Sequence, residues 1–316
     1  MKYDHFFTPV RIEQINIIDS FDHQFGFIGS CFSDHMHQRF RYHGLQAWLS
    51  PFGTTYNPLS IVNQLLGSID LIHEFNIHST ENHSFYWETS HKIIHSNPEE
   101  LKIIVERLRT ESLSALQEMD TLFITLGSAW VYELNSTGLL VANCHKLPAS
   151  NFTKRLLSIK EISDALHTVI SRLNKINPFL KIVFTVSPVR HLRDGIVENS
   201  RSKACLIEAC HQVVDSALTA TYFPAYEIVM DELRDYRFFE RDGAHPTEFA
   251  IDIVFDKLQR TLFTESLIKA FNEVAQIRRM ENHRFSEESN ADAMEKHRQS
   301  IAKRKHDLDE VHPVRW

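Results

Sequence analysis

Apolar residues in this chain fall into short runs set between longer stretches of helical period. Five runs have strand character: residues 25–30 (FGFIGS), 45–49 (LQAWL), 121–126 (TLFITL), 181–186 (KIVFTV) and 226–230 (YEIVM). Two of them, TLFITL and KIVFTV, are almost continuously apolar, as befits strands of a parallel sheet covered on both faces. Between the runs lie helical patterns. Residues 98–119 carry Leu101, Ile104, Val105, Leu108, Leu113 and Leu116 at helical spacing. Residues 159–176 follow Ser158, with Glu161 three places on, which reads as a capping box. The same period runs through 198–218 and 246–263, and through 34–40 after the first strand. Strand alternating with helix predicts a three-layer α/β/α fold around a doubly wound, mainly parallel five-stranded sheet. The stretch 132–141 (YELNSTGLLV) reads as a β-hairpin, with Asn-Ser-Thr-Gly supplying the turn.

Composition narrows the class of protein. Hydrophobic residues make up 43% of the 316 and charged residues 24%, ordinary globular usage that excludes a fibrous or disordered chain. The net charge of −7 argues against nucleic acid as partner, since phosphate neutralisation needs a basic excess. No run approaches the length of a membrane span, and the first 25 residues lack the apolar core of a secretory signal. Four cysteines do not make a disulfide scaffold. The expectation is a cytoplasmic chain without a membrane partner. No linker rich in Gly, Pro or Ser divides residues 1–265, which are therefore expected as one domain. From Gln276 onward charges of both signs dominate, so 266–316 is expected as a charged helix running into a solvated tail.

Two segments carry candidate chemistry. In Gly29-Ser30-Cys31-Phe32-Ser33 a strand runs into two adjacent nucleophiles and then a helix. Open α/β sheets keep their ligands at such a carboxyl edge. The helix N-terminus there should lower a thiol pKa, and its free N–H groups can bind an oxyanion. The plainer alternative is a buried Cys beside a helix-capping Ser. In Asp242-Gly243-Ala244-His245-Pro246 the short turn can fold the carboxylate onto the imidazole, giving a general base with its orienting group. The plainer alternative is a surface turn with an incidental His. No C-x-x-C or H-E-x-x-H spacing suggests a metal, and no Gly-rich loop suggests a phosphate cofactor, so no metal or cofactor is expected. Cys205 and Cys210 lie five apart on one helix and read as core.

These residues, in this order, resemble the GSCFA-domain family, which is similar to the SGNH/GDSL hydrolases. The resemblance is carried by Gly29-Ser30-Cys31-Phe32-Ser33, Pro51-Phe52-Gly53 with Tyr56-Asn57-Pro58, and Gly127-Ser128-Ala129-Trp130. It continues through Asn143-Cys144-His145-Lys146, Ser187-Pro188-Val189-Arg190-His191, and Asp242 with His245-Pro246. It implies an ester-hydrolase-like site. An ungapped match sets Ser30 at the Asp of the wider Gly-Asp-Ser motif and Cys31 at the nucleophile. Ala129 replaces the usual oxyanion Asn, which leaves the N–H groups of Cys31 and Gly53, the Ser128 hydroxyl and the Asn143 amide as oxyanion donors. Trp130, His145, Lys146, Arg190 and His191 are the candidate substrate-binding residues, with Lys146 facing an anionic group. Arg190 alternatively forms a structural ion pair.

The reading that joins these features is an acyl hydrolase (esterase or thioesterase) or acyltransferase acting on a small-molecule or carbohydrate acyl substrate. Cys31, or else Ser30, attacks; His245 moves the proton; Asp242 orients His245. A non-catalytic carbohydrate-binding protein on the same scaffold is the alternative. A redox-sensing Cys31 would have no neighbouring Cys to resolve it.

Overall fold

The computed structural model describes residues 8–13, 18–71, 76–283, 291–312, 314 and 316. Five strands form the central sheet: β1 (Gln24–Gly29), β2 (Gln46–Leu49), β3 (Thr121–Leu126), β4 (Lys181–Val186) and β5 (Ala220–Tyr222). All pair in parallel, in the order β5-β4-β3-β1-β2. The order reverses direction between β1 and β3, so the crevice beyond their carboxyl ends is the topological switch point of a doubly wound sheet.

Period-2 alternation sorts the strand residues into two cores. Phe25 and Phe27 of β1, Phe123 of β3 and Val183 of β4 lie on one face. Ile28, Leu122, Ile124, Ile182 and Phe184 lie on the other. The aromatic face is covered by α1 (Cys31–Tyr42), by α6 (Ala225–Glu227) with the π turn that follows it, by α7 (Glu248–Leu262) and by α8 (Glu265–Glu281). There Phe27 stacks on Phe123 with centroids 4.9 Å apart, and Phe40 of α1 meets both rings edge-on. The aliphatic face is covered by α2 (Pro58–Ile69), α3 (Pro98–Glu118), α4 (Ile159–Ile176) and α5 (Ile196–Val214). The capping box at Ser158 and Glu161 is formed.

The excursion between β3 and β4 contains the expected hairpin: Trp130–Leu134 pairs antiparallel with Leu140–Val141 and, on its other side, with Phe152–Leu156. A second small antiparallel sheet, Ile77–Ser79 with Ser84–Tyr86 and Ile94–His95, lies between α2 and α3.

Two elements differ from the sequence expectation. The run 226–230 is helical, spanning α6 and the π turn Ile228–Glu232. Its buried residues Ala225, Ile228 and Val229 follow i, i+3, i+4 spacing, which a five-residue run cannot reveal. The fifth strand is the three-residue Ala220–Tyr222 just before it. The expected solvated tail also differs. Helix α9 (Ala291–Asp309) folds back on α8, with Arg304 paired to Glu273 and Lys305 to Glu281, each at 2.6 Å. Leu308 and Val314 join the same apolar cluster as Phe271 and Val274 of α8. Among the described residues no helix is long and apolar enough to cross a membrane.

Candidate active site

Gly29 ends β1 with φ of +131°, and a Cβ there would lie 2.1 Å from the Thr125 carbonyl oxygen of β3. Only glycine fits this approach, which lets the chain leave the sheet sharply into α1. Ser30 caps that helix: it is buried, and its Oγ accepts from Phe32 N–H at 3.3 Å. Cys31, the first helical residue, is more exposed than Ser30. The turn therefore gives its two candidate nucleophiles different surroundings, with Ser30 buried in the cap and Cys31 partly exposed.

The thiol of Cys31 is pushed up from its ordinary pKa, chiefly by burial and then by the charge of Asp34, one turn on. The Cys31 and Phe32 N–H groups and Lys203 pull the other way and do not prevail. The expected thiolate at a helix N-terminus is thus corrected, because loss of hydration outweighs the helix end.

Residues 50–57 fold across the switch point. Thr55 N–H donates to the Gly29 carbonyl at 2.8 Å, and the Thr54 hydroxyl to Asp34 at 3.3 Å. The Tyr56 carbonyl accepts from Gly127 N–H at 2.7 Å and Ser128 N–H at 3.0 Å. The loop thus links the ends of β1 and β3. Gly53 has φ of +80° within it, and its N–H makes a long 3.4 Å bond to the Ser50 carbonyl.

The Asp242–His245 turn closes as the spacing predicts. Asp242 Oδ2 lies 2.6 Å from His245 Nδ1, and Oδ1 accepts from the Ala244 and His245 N–H groups at 2.9 and 3.0 Å. The hydrogen bond from His245 is the main reason that the Asp242 carboxyl is held down at about 2. Both side chains are half exposed. The turn is fastened to the segment leaving β4: Arg190 N–H donates to Ala244 O at 3.0 Å, and the Arg190 guanidinium to Gly243 O at 3.1 Å. The helix that follows the turn, α7, is fastened to α1 as well. Arg39 pairs with Glu248 and Asp252 at the start of α7, and His35 approaches Glu248 at 3.3 Å. His35 lies one turn along α1 from Cys31.

Beside the switch point lies a cavity of about 600 Å³ lined by the hairpin, residues 142–149 and residues 190–194. Ser128, Trp130, Asn143, Lys146, Arg190 and His191 all border it. His145 does not. Positive φ angles at His145 (47°) and Lys146 (61°) turn the two side chains apart. The His145 ring is buried, stacked at 3.8 Å on Phe85, and burial holds its pKa at about 4. Its expected substrate contact is corrected to a core position. Arg190 is committed to Gly243 and to the face of Phe239, 4.1 Å from its ring centre, which makes it a brace rather than an ion-pair partner or a substrate clamp. Ser128 Oγ accepts from Trp130 N–H at 3.1 Å and shares a 3.3 Å bond with Ser202. Asn143 Oδ1 accepts from His145 N–H at 2.7 Å. Trp130 lies under the Lys154 ammonium, 4.5 Å from its ring centre.

Sequence reasoning missed Lys203 of α5. It is fully buried, and its Nζ donates to Gly127 O at 2.7 Å and Ser187 O at 2.6 Å, just beyond the ends of β3 and β4. Burial lowers its pKa to about 7, while the field of Cys31 raises it. No local motif marks it; the one cue was a lysine on the buried stripe of an otherwise amphipathic helix. Tyr56 was also missed as a site residue, though it lies in the field of Cys31 and edge-on to His191 at 5.1 Å. Among the described residues no group of three His, Cys, Asp or Glu could hold a metal ion.

The fold and this edge define a class: a doubly wound α/β protein with candidate nucleophiles at the switch point and an Asp–His pair before a late helix. The sequence profile of the GSCFA family matches residues 24–258, and the chain belongs to that family. Among curated proteins none matches it by sequence. Of solved structures, it is similar to a carbohydrate esterase family 3 protein from Talaromyces cellulolyticus, at 7% identity and a TM-score of 0.38, covering 79% of this chain and 99% of the other. It is similar to the acetyl xylan esterase Est2A from Butyrivibrio proteoclasticus, at 10% and 0.41, covering 80% and 66%. It is similar also to the periplasmic domain of a lipopolysaccharide acetyltransferase from Salmonella ser. Paratyphi A, at 11% and 0.36, covering 78% and 85%.

Proposed function

We propose that this chain is an acyl hydrolase or acyltransferase of the SGNH type, with Cys31 as nucleophile, His245 as general base and acid, and Asp242 as orienting group. One observation carries the reading: an Asp–His pair at 2.6 Å on a turn fastened to the same sheet edge, and through α7 to the same helix, as the more exposed of two adjacent nucleophiles. Asp242 holds Nδ1 protonated, which leaves Nε2 as the basic nitrogen. A thiol raised by burial is neutral at rest and needs such a base.

In this mechanism Nε2 takes the Cys31 proton as Sγ bonds to the ester or thioester carbonyl carbon. The oxyanion forms beside the Cys31 N–H at the start of α1, with Gly53 N–H and the Asn143 amide as further donors. As the tetrahedral adduct collapses, His245 returns the proton to the leaving alcohol or thiol. Water or an acceptor hydroxyl, deprotonated by His245, then releases the acyl group and restores the thiol.

Hydrolysis of 4-nitrophenyl acetate and S-phenyl thioacetate tests it. Replacing Cys31 with Ala should abolish turnover, and His245→Ala should lower it by roughly 10²–10⁴-fold. Turnover that survives in both variants rejects the mechanism. Ligand binding without any His245-dependent turnover favours the non-catalytic alternative.

A further inference from the structure

The cavity beside the switch point has a chemical character that acyl transfer alone does not require. On a chain of net charge −7, its lining contains Lys146, Arg190 and Arg193 but only one carboxylate, Asp194, which is already paired with Lys154. Arg190 is spent on Gly243 and Phe239. Lys146 and Arg193 are exposed, and among the described residues neither has a carboxylate within ion-pair distance. The left-handed backbone at Lys146 sends its side chain to the rim while the His145 ring goes inward. Tyr56, Trp130 and Tyr132 supply aromatic surface to the same space.

A third observation points the same way. His191 borders the cavity, and among the described residues its buried Nε2 has no hydrogen-bond partner. Buried polar atoms are nearly always satisfied, so an orphan on a lining residue leaves a hydrogen-bonding position for a ligand atom. Burial and Lys203 keep the ring neutral, with its pKa at about 4, so it can present an N–H to an acceptor without adding charge.

We infer that this cavity receives the non-acyl part of the substrate, and that this part is a ring carrying a negative charge, either a carboxylate or a phosphate. Trp130 and Tyr132 contact the ring, Lys146 and Arg193 meet the charge at the rim, and His191 Nε2–H donates to an acceptor oxygen deeper in. The inference rests on the acyl-transfer reading for what is bound, but the cavity's selectivity can be measured without turnover.

The experiment is calorimetric titration of the full chain with three probes: 4-hydroxybenzoate, phenyl phosphate, and the neutral methyl 4-hydroxybenzoate. At least one anion should bind about tenfold or more tightly than the neutral ring at low salt, and the gap should shrink as ionic strength rises. Which anion leads distinguishes a carboxylate from a phosphate ligand. The K146Q/R193Q double variant should bring the ratio close to one; both side chains are exposed, and an unchanged melting curve confirms that the variant folds. Equal or tighter binding of the neutral ring, no binding of either anion at millimolar concentration, or a preference that survives in the double variant overturns the inference. Anion selectivity without His245-dependent turnover rejects the proposed function and leaves the cavity as a site for an anionic ring. His245-dependent turnover without anion selectivity does the reverse.

Discussion

Cys31 stands where opposing influences on a thiol meet. Burial and Asp34 favour the neutral form, while Lys203 and the first-turn N–H groups favour the thiolate. The sum is upward, so iodoacetamide should label Cys31 at pH 7 more slowly than it labels a free cysteine. Asp34→Asn should speed the reaction by removing a like charge, and Lys203→Met should slow it. Labelling faster than that of free cysteine would mean that the helix end outweighs burial after all. The sequence showed the helix start, because glycine, serine and the helical period are all local. It did not show Lys203, whose partners lie 76 and 16 residues away and are backbone oxygens without side-chain identity. Nor did it show that two left-handed residues turn His145 away from its neighbour Lys146. The pair at Asp242 and His245 was legible because three residues and a glycine suffice to close it.

Short-range patterns survived at the level of elements. The capping box of α4 and the hairpin at 130–141 are each specified within a dozen residues. The run 226–230 was misread because five residues carry no period of their own; their neighbours Phe223 and Ala225 and the aromatic face decide the conformation. The C-terminal segment was misread because charges of both signs suggest solvation, yet α9 pairs Arg304 and Lys305 with acids on α8 and buries Leu308. Truncation after residue 283 should therefore lower Tm by roughly 5 °C or more, since burial of one large apolar side chain is worth about 1.5–3 kcal/mol. An unchanged melting curve would show that α9 adds nothing to the stability of the body.

Stability of the whole molecule should depend on acidity through its buried imidazoles: burial lowers His23, His37 and His43, and two others further still. His145 and His191 are each held at about 4, below the ordinary 6.5, mainly by burial. As pH falls through 6.5 the unfolded chain takes up these protons before the folded one does. The stability they contribute is complete above 6.5 and is lost progressively between 6.5 and 4. Asp34 and Glu227, raised by burial, act in the opposite sense and soften the loss. Denaturant melts between pH 7 and 4 should show the decline, and His145→Gln should make it shallower. A flat profile in the unaltered protein would mean that these rings are hydrated.

The central claim joins parts of the molecule far apart in sequence: Cys31 after the first strand and His245 before α7 acting on one acyl group. Intact-mass and peptide-mapping analysis after brief exposure to 4-nitrophenyl acetate tests this most directly. The account predicts one hydroxylamine-labile acetyl group on Cys31, formed much more slowly in His245→Ala. An acetyl group on Ser30, or on Cys31 at a rate unaffected by His245, would contradict it.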